Sequence, residues 1–151
     1  MRQILAPFLR NLITMLCVFT LAGLPAADGV WAQIKLEKTF AAVITDAHGV
    51  ETEIKNVLFY WEERISETAF VPHEIKQVPV KRGQATIQVK FDMIKHIDVT
   101  PSDKGLPLLT ITLTNGKTGE FVLAIHGTFE GESDFGGVEL PANGLKKVVF
   151  Q

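Results

Sequence analysis

The chain has 151 residues, with 15 Lys and Arg against 17 Asp and Glu, a formal net charge of −2 and a single cysteine. Mild acidity without a basic run argues against nucleic acid and against anionic membrane surfaces as partners, and one cysteine excludes an intrachain disulfide framework. A chain of this length makes one domain and can bury roughly two-thirds of its unfolded surface, so it needs no covalent staple.

Residues 1–32 read as a cleavable signal peptide. Arg2 and Arg10 form a positive leading region, and the apolar run from Asn11 to Gly23 is too short for a comfortable membrane span. Small residues gather between Pro25 and Ala32, and Val30-Trp31-Ala32 best fits a peptidase site, so cleavage is expected after Ala32, with Ala27 as the second choice. Cys17 lies inside the apolar run with no small residue just before it, so lipidation is not expected. Cleavage removes the only cysteine. An exported protein without disulfides suits a bacterial periplasm or the medium, with no stable membrane insertion once the leader is gone.

Strand signals dominate the rest. From Ile34, the even positions Ile34, Leu36, Phe40, Ala42 and Ile44 are apolar while Lys35, Glu37 and Thr39 lie between them, the period of a half-buried strand. Asp46-Ala47-His48-Gly49 supplies turn chemistry, and a second strand runs through Val50 and Ile54 to Phe59-Tyr60-Trp61. Its apolar phase switches from even to odd near Asn56, which predicts a bulge there. Between Arg64 and Gly83, Pro72 and Pro79 rule out one continuous helix, and an irregular loop with an edge strand at Gln77 to Val80 is expected.

Further along, Leu109, Ile111 and Leu113 alternate with threonines, Asn115-Gly116 is a hairpin turn signal, and Phe121, Leu123 and Ile125 run back on one face. This repeats the first hairpin. Ile87–Val99 also aligns without a gap onto Val138–Phe150, each a strand, a tight polar turn and a strand. The expected fold is therefore all-β, an antiparallel β-sandwich or partly open barrel made of two diverged β-hairpin units. Residues 33–151 form the single β domain, with unit one at 33–99, a Pro- and Gly-bearing linker at 100–107, and unit two at 108–151. The units differ most across 64–83, and long loops on small β domains often carry function.

Candidate chemistry is sparse. His73-Glu74 begins like the two-histidine zinc helix, but Gln77 stands where the second histidine belongs and Pro72 precedes the pair, so the motif fails. Glu130, Glu132 and Asp134 place carboxylates at alternate positions. Phe135 and Pro141 then stand where a calcium loop wants glycine and a bidentate glutamate, so a solvated hairpin tip explains them more simply. Phe59 and Trp61 read as core, while Tyr60 is the open case for a stacking surface. His96 and Asp98 would share a strand face, yet the aligned positions in unit two are Lys147 and Val149, which favours an ordinary outer face. Serines are few, none lies in Gly-x-Ser-x-Gly, and no phosphate loop is present, so no catalytic residue, cofactor or metal is assigned.

The leading expectation is an exported, non-enzymatic β domain that binds another protein of the bacterial cell envelope. Its candidate binding residues are Tyr60, Trp61, His73 and Glu74. The alternatives are a glycan- or calcium-binding module using Tyr60, Trp61 or the acidic stretch at Glu130, Glu132 and Asp134, and a small secreted hydrolase whose site assembles only in space.

Overall fold

The computed structural model describes residues 37–103 and 105–151, and the expected leader with its expected cleavage sites lies outside them. Eleven strands follow one another: β1 (Ala41–Asp46), β2 (Glu51–Arg64), β3 (Phe70–Ile75), β4 (Gln77–Arg82), β5 (Ala85–Lys90), β6 (Ile94–Thr100), β7 (Leu108–Leu113), β8 (Thr118–Leu123), β9 (Thr128–Ser133), β10 (Gly136–Pro141) and β11 (Leu145–Phe150). Short 3-10 turns at Phe91–Met93 and Ala142–Gly144 connect β5 to β6 and β10 to β11. Among the described residues there is no α-helix, and so no helix long and apolar enough to cross a membrane.

The fold is all-β, one antiparallel sheet ordered β10-β9-β2-β1-β11-β6-β7-β8-β4-β5, with β3 paired to β2 beside this path. The path does not close. Its apolar residues nevertheless meet in a single core. Ala42 and Ile44 of β1, Ile54 and Phe59 of β2, Val78 and Val80 of β4, Ile97 of β6, Leu123 of β8 and Val148 of β11 all join one buried cluster. Both 3-10 turns add to it through Phe91 and Ala142. Phe91 stacks on Phe129 with centroids 6.4 Å apart and lies 4.8 Å from the Phe150 ring, so residues from opposite parts of the sheet order touch. The sheet must therefore curl around its apolar face, and burying each large side chain there contributes about 1.5–3 kcal/mol.

Two tight turns set the registers. Asp46 accepts from the backbone of Gly49 and its side chain caps His48 and Val50, while Gly49 takes φ +82°. Asn115-Gly116 does the same work before β8, with Gly116 at φ +86° and the Asn115 side chain accepting from Lys117. Positive φ is where glycine costs nothing sterically.

The expected bulge in β2 is present. Asn56 adopts φ +54°, and the pairing with β9 shifts between Lys55 and Leu58. Ile54 on one side of it and Val57 and Phe59 on the other are all fully buried, because the extra residue resets which face the odd positions occupy.

Two local expectations are corrected. Glu37 to Phe40 carry no strand, so among the described residues the first strand starts at Ala41, and Ile34 to Leu36 lie outside them. The 64–83 stretch is no irregular loop: β3 is the strand with an unpaired outer side, whereas β4 is interior, between β5 and β8. Pro79 lacks a donor, but its carbonyl accepts from Ala124 N at 2.9 Å on the β8 side.

The left-handed backbone at Asn56 generates a prediction. Asn56→Gly should fold with little loss, while Asn56→Val, whose branched Cβ resists positive φ, should lie below the glycine variant by about 1–2 kcal/mol in urea unfolding. Equal stability of the two variants would mean the bulge relaxes elsewhere.

Candidate functional site

β2 outruns its neighbour. β1 covers Glu51 to Lys55, and beyond the bulge the same strand pairs with β3 from Phe59–Ile75 to Arg64–Phe70. The 64–83 segment thus extends the sheet as a hairpin, and strand alternation sorts its side chains onto two faces. Phe59, Trp61 and Glu63 share one face. Tyr60 and Glu62 share the other.

On the first face Phe59 is fully buried and Trp61 is half-buried against the core. Trp61 faces His73 across the strands, and the two rings stack with centroids 4.1 Å apart and planes 12° from parallel. His73 Nε2 lies 3.1 Å from Glu63 Oε2. The imidazole is therefore held edge-on by a carboxylate and face-on by an indole, and one face of Trp61 is already occupied. On the second face the Tyr60 hydroxyl donates to Glu62 Oε1 at 2.6 Å. That bond to a carboxylate, followed by desolvation and by the charges of Glu62, Glu130 and Glu74, pushes the phenol up to about 12. Tyr60 is a donor at neutral pH and no base.

A cleft of about 350 Å³ opens beside these strands, lined in part by Tyr60, Trp61, Glu62, His126, Thr128 and Asn143. Its wall is close to β2 because Gly127 has no side chain: a Cβ there would stand 2.8 Å from the Tyr60 carbonyl oxygen.

The other candidates are scattered. Glu74 is exposed and sits opposite Tyr60. Glu130 lies in mid-strand, not at the β9–β10 tip, paired with Glu139. Burial first, then the charges of Glu139 and Glu74, raise its carboxyl above the usual 4.5. Glu132 accepts from Asn56 Nδ2 at 3.2 Å, and Asp134 at the tip meets Lys55 at 3.3 Å. Glu132 and Asp134 thus have separate partners, and no cluster of three or more His, Cys, Asp or Glu suited to a metal occurs among the described residues. His96 does approach Asp98, at 3.5 Å, but Asp98 also faces Lys147 at 3.7 Å across β6 and β11, the arrangement of an outer-face charge cluster.

Sequence reasoning did not find Glu63 as the partner of His73, since strand register is needed to bring residues ten apart together. Nor did it single out Ile65, Phe70 and Val71, which are 66%, 52% and 36% exposed on the same hairpin. Their signal was available: apolar residues inside a polar insertion.

Two measurements test this geometry. In a Trp31→Phe background, His73→Ala should uncover the Trp61 ring, shifting its emission to the red and increasing acrylamide quenching. An unchanged spectrum would mean the stack is not formed in solution. Glu130→Gln removes a carboxylate that the fold disfavours in its ionised form, so it should be more stable than the parent at pH 7. Because the folded-state pKa is raised, that gain must fade as pH falls and vanish below the ordinary 4.5. Urea unfolding of both chains across that range reads the difference.

No curated protein and no solved structure matches the chain. A family model described as "Uncharacterised protein" matches residues 36–151, nearly all of the β domain, and the chain belongs to that family.

Proposed function

We propose that this chain is an exported, non-enzymatic interaction module of the bacterial cell envelope, and that the β2–β3 hairpin is its contact element. One observation carries the reading. Of the eight large apolar side chains exposed among the described residues, three, Ile65, Phe70 and Val71, stand on this single hairpin. Phe70 and Val71 are successive strand residues and face opposite sides, so the tip is apolar on both faces. Such a tip fits a partner groove that encloses it better than a flat surface. Glu62, Glu63 and Glu67 are exposed around it against a lone Arg64, which favours a groove with a cationic rim. The unpaired outer side of β3 adds backbone donors and acceptors for strand addition.

The export half of the reading rests on the leader pattern at residues 1–32 and on the absence of cysteine after it. The chemical half rests on the core: among the described residues no polar or charged residue is fully buried, and Glu130, the one partly desolvated carboxyl, has carboxylates rather than a base or nucleophile beside it.

The same reading takes the domain as two copies of one unit curled into a partly open barrel. Exchanging β1, β2, β4, β5 and β6 for β7, β8, β9, β10 and β11 leaves the strand order unchanged. Registers agree with the exchange. Ala41–Lys55 corresponds to Leu108–Val122, and Gln77–Lys90 to Thr128–Pro141. The irregularity between Thr45 and Asp46 opposite β11 returns between Ile94 and His96 opposite β7. β3 alone has no counterpart, which marks the hairpin as an addition to the repeated plan.

The test is capture from envelope extract with the secreted chain as bait. The triple variant Ile65→Glu, Phe70→Glu, Val71→Glu should keep the parent melting temperature and lose the prey held by the parent. A prey set unchanged by the variant would remove the hairpin as the contact. A secreted protein whose N-terminus is not generated near Ala27 or Ala32 would remove the export half.

A further inference from the structure

A second opening has different chemistry from the hairpin. Between the β4–β5 hairpin and the β7–β8 hairpin the core is uncovered, leaving a groove of about 290 Å³. Alternation brings Ile87 of β5, Leu113 of β7 and Phe121 of β8 onto its walls, and Met93 closes one side from the 3-10 turn. Ile87 and Met93 are 38% and 47% exposed. The Phe121 ring lies along its own strand because residue 119 is glycine, where a Cβ would stand 2.8 Å from Phe121 Cε2. At the lips are two cations, Arg82 at the end of β4 and Lys117 in the turn before β8, and no carboxylate lines the groove. Neither cation has an ion-pair partner among the described residues. In an acidic chain that is a local reversal of charge.

The strand exchange described above gives an internal control, and this part of the argument rests on that reading of the fold. At the positions corresponding to Arg82, Met93, Leu113 and Lys117 stand Ser133, Gly144, Asp46 and Val50. Both cations and two of the apolar walls are thus absent from the other half, although that half builds the same strands. The fold does not need them.

We propose that this groove binds the monomeric anion of a medium-chain fatty acid. Its alkyl chain lies on Ile87, Met93, Leu113 and Phe121, and its carboxylate sits between Arg82 and Lys117. The volume falls just below the roughly 300–1,000 Å³ of small-molecule sites, which limits the tail to a short one. The planar guanidinium of Arg82 suits a bidentate carboxylate, and Lys117 adds a point charge. Met93, unbranched and flexible, can adjust to the chain.

Titration calorimetry of the full secreted chain with sodium decanoate, kept below its micelle concentration, tests this. One-to-one saturable binding is expected, with a rise in melting temperature that grows with ligand concentration. Decyltrimethylammonium bromide, with the same tail and opposite head, should bind more weakly. Arg82 and Lys117 are both exposed, so Arg82→Glu/Lys117→Glu should fold as the parent does and lose roughly tenfold or more in decanoate affinity. Equal binding of the two amphiphiles, undiminished affinity in the charge-reversed chain, absence of decanoate binding, or binding confined to micelles or vesicles would each overturn the proposal. The hairpin variant Ile65→Glu, Phe70→Glu, Val71→Glu should leave decanoate binding intact, so failure of either site is read separately.

Discussion

The fold depends on strands of one half of the chain pairing with strands of the other. β6 and β11 lie side by side at the middle of the sheet, and each then pairs with the other half's first strand, β7 and β1 respectively. The β4–β5 hairpin joins the sheet through β8, and the β9–β10 hairpin through β2. Neither half keeps a continuous ladder without the other. A sheet of four or five short strands would leave its apolar face wet, and the interlacing removes that cost by building one core from both halves.

That constraint explains why departures from regularity matter. The bulge at Asn56 lets one long strand bury Ile54 before it and Phe59 after it, so β2 can serve the core and still extend outward to carry β3. The hairpin this creates holds Trp61, His73 and Glu63 in a stacked and hydrogen-bonded group at its base, and exposes apolar side chains at its tip. The same hairpin thus pairs a packed base with an uncovered apolar tip.

Legibility followed the range of the physics. Turn positions were readable because Asp46–Gly49 and Asn115-Gly116 act within four residues, through left-handed glycines and side-chain caps. The buried faces were readable because alternation is a local property. The role of β4 was not: Pro79 suggested an edge, since the missing donor is local, while the acceptor bond from Ala124 that makes it an inner strand comes from far along the chain. Glu130 was placed at a tip and lies in mid-strand, since only the register with β10 sets it opposite Glu139.

The sequence by itself determined the all-β class, the hairpin turns, the bulge in β2 and the charge balance, because each follows from spacing two to four residues long or from simple counting. Only the tertiary structure decided which hairpin stands beside which, that His73 meets both Trp61 and Glu63, and that Arg82 and Lys117 frame one apolar mouth. Those outcomes depend on long-range register, and one residue of slip would turn every one of these side chains to the opposite face.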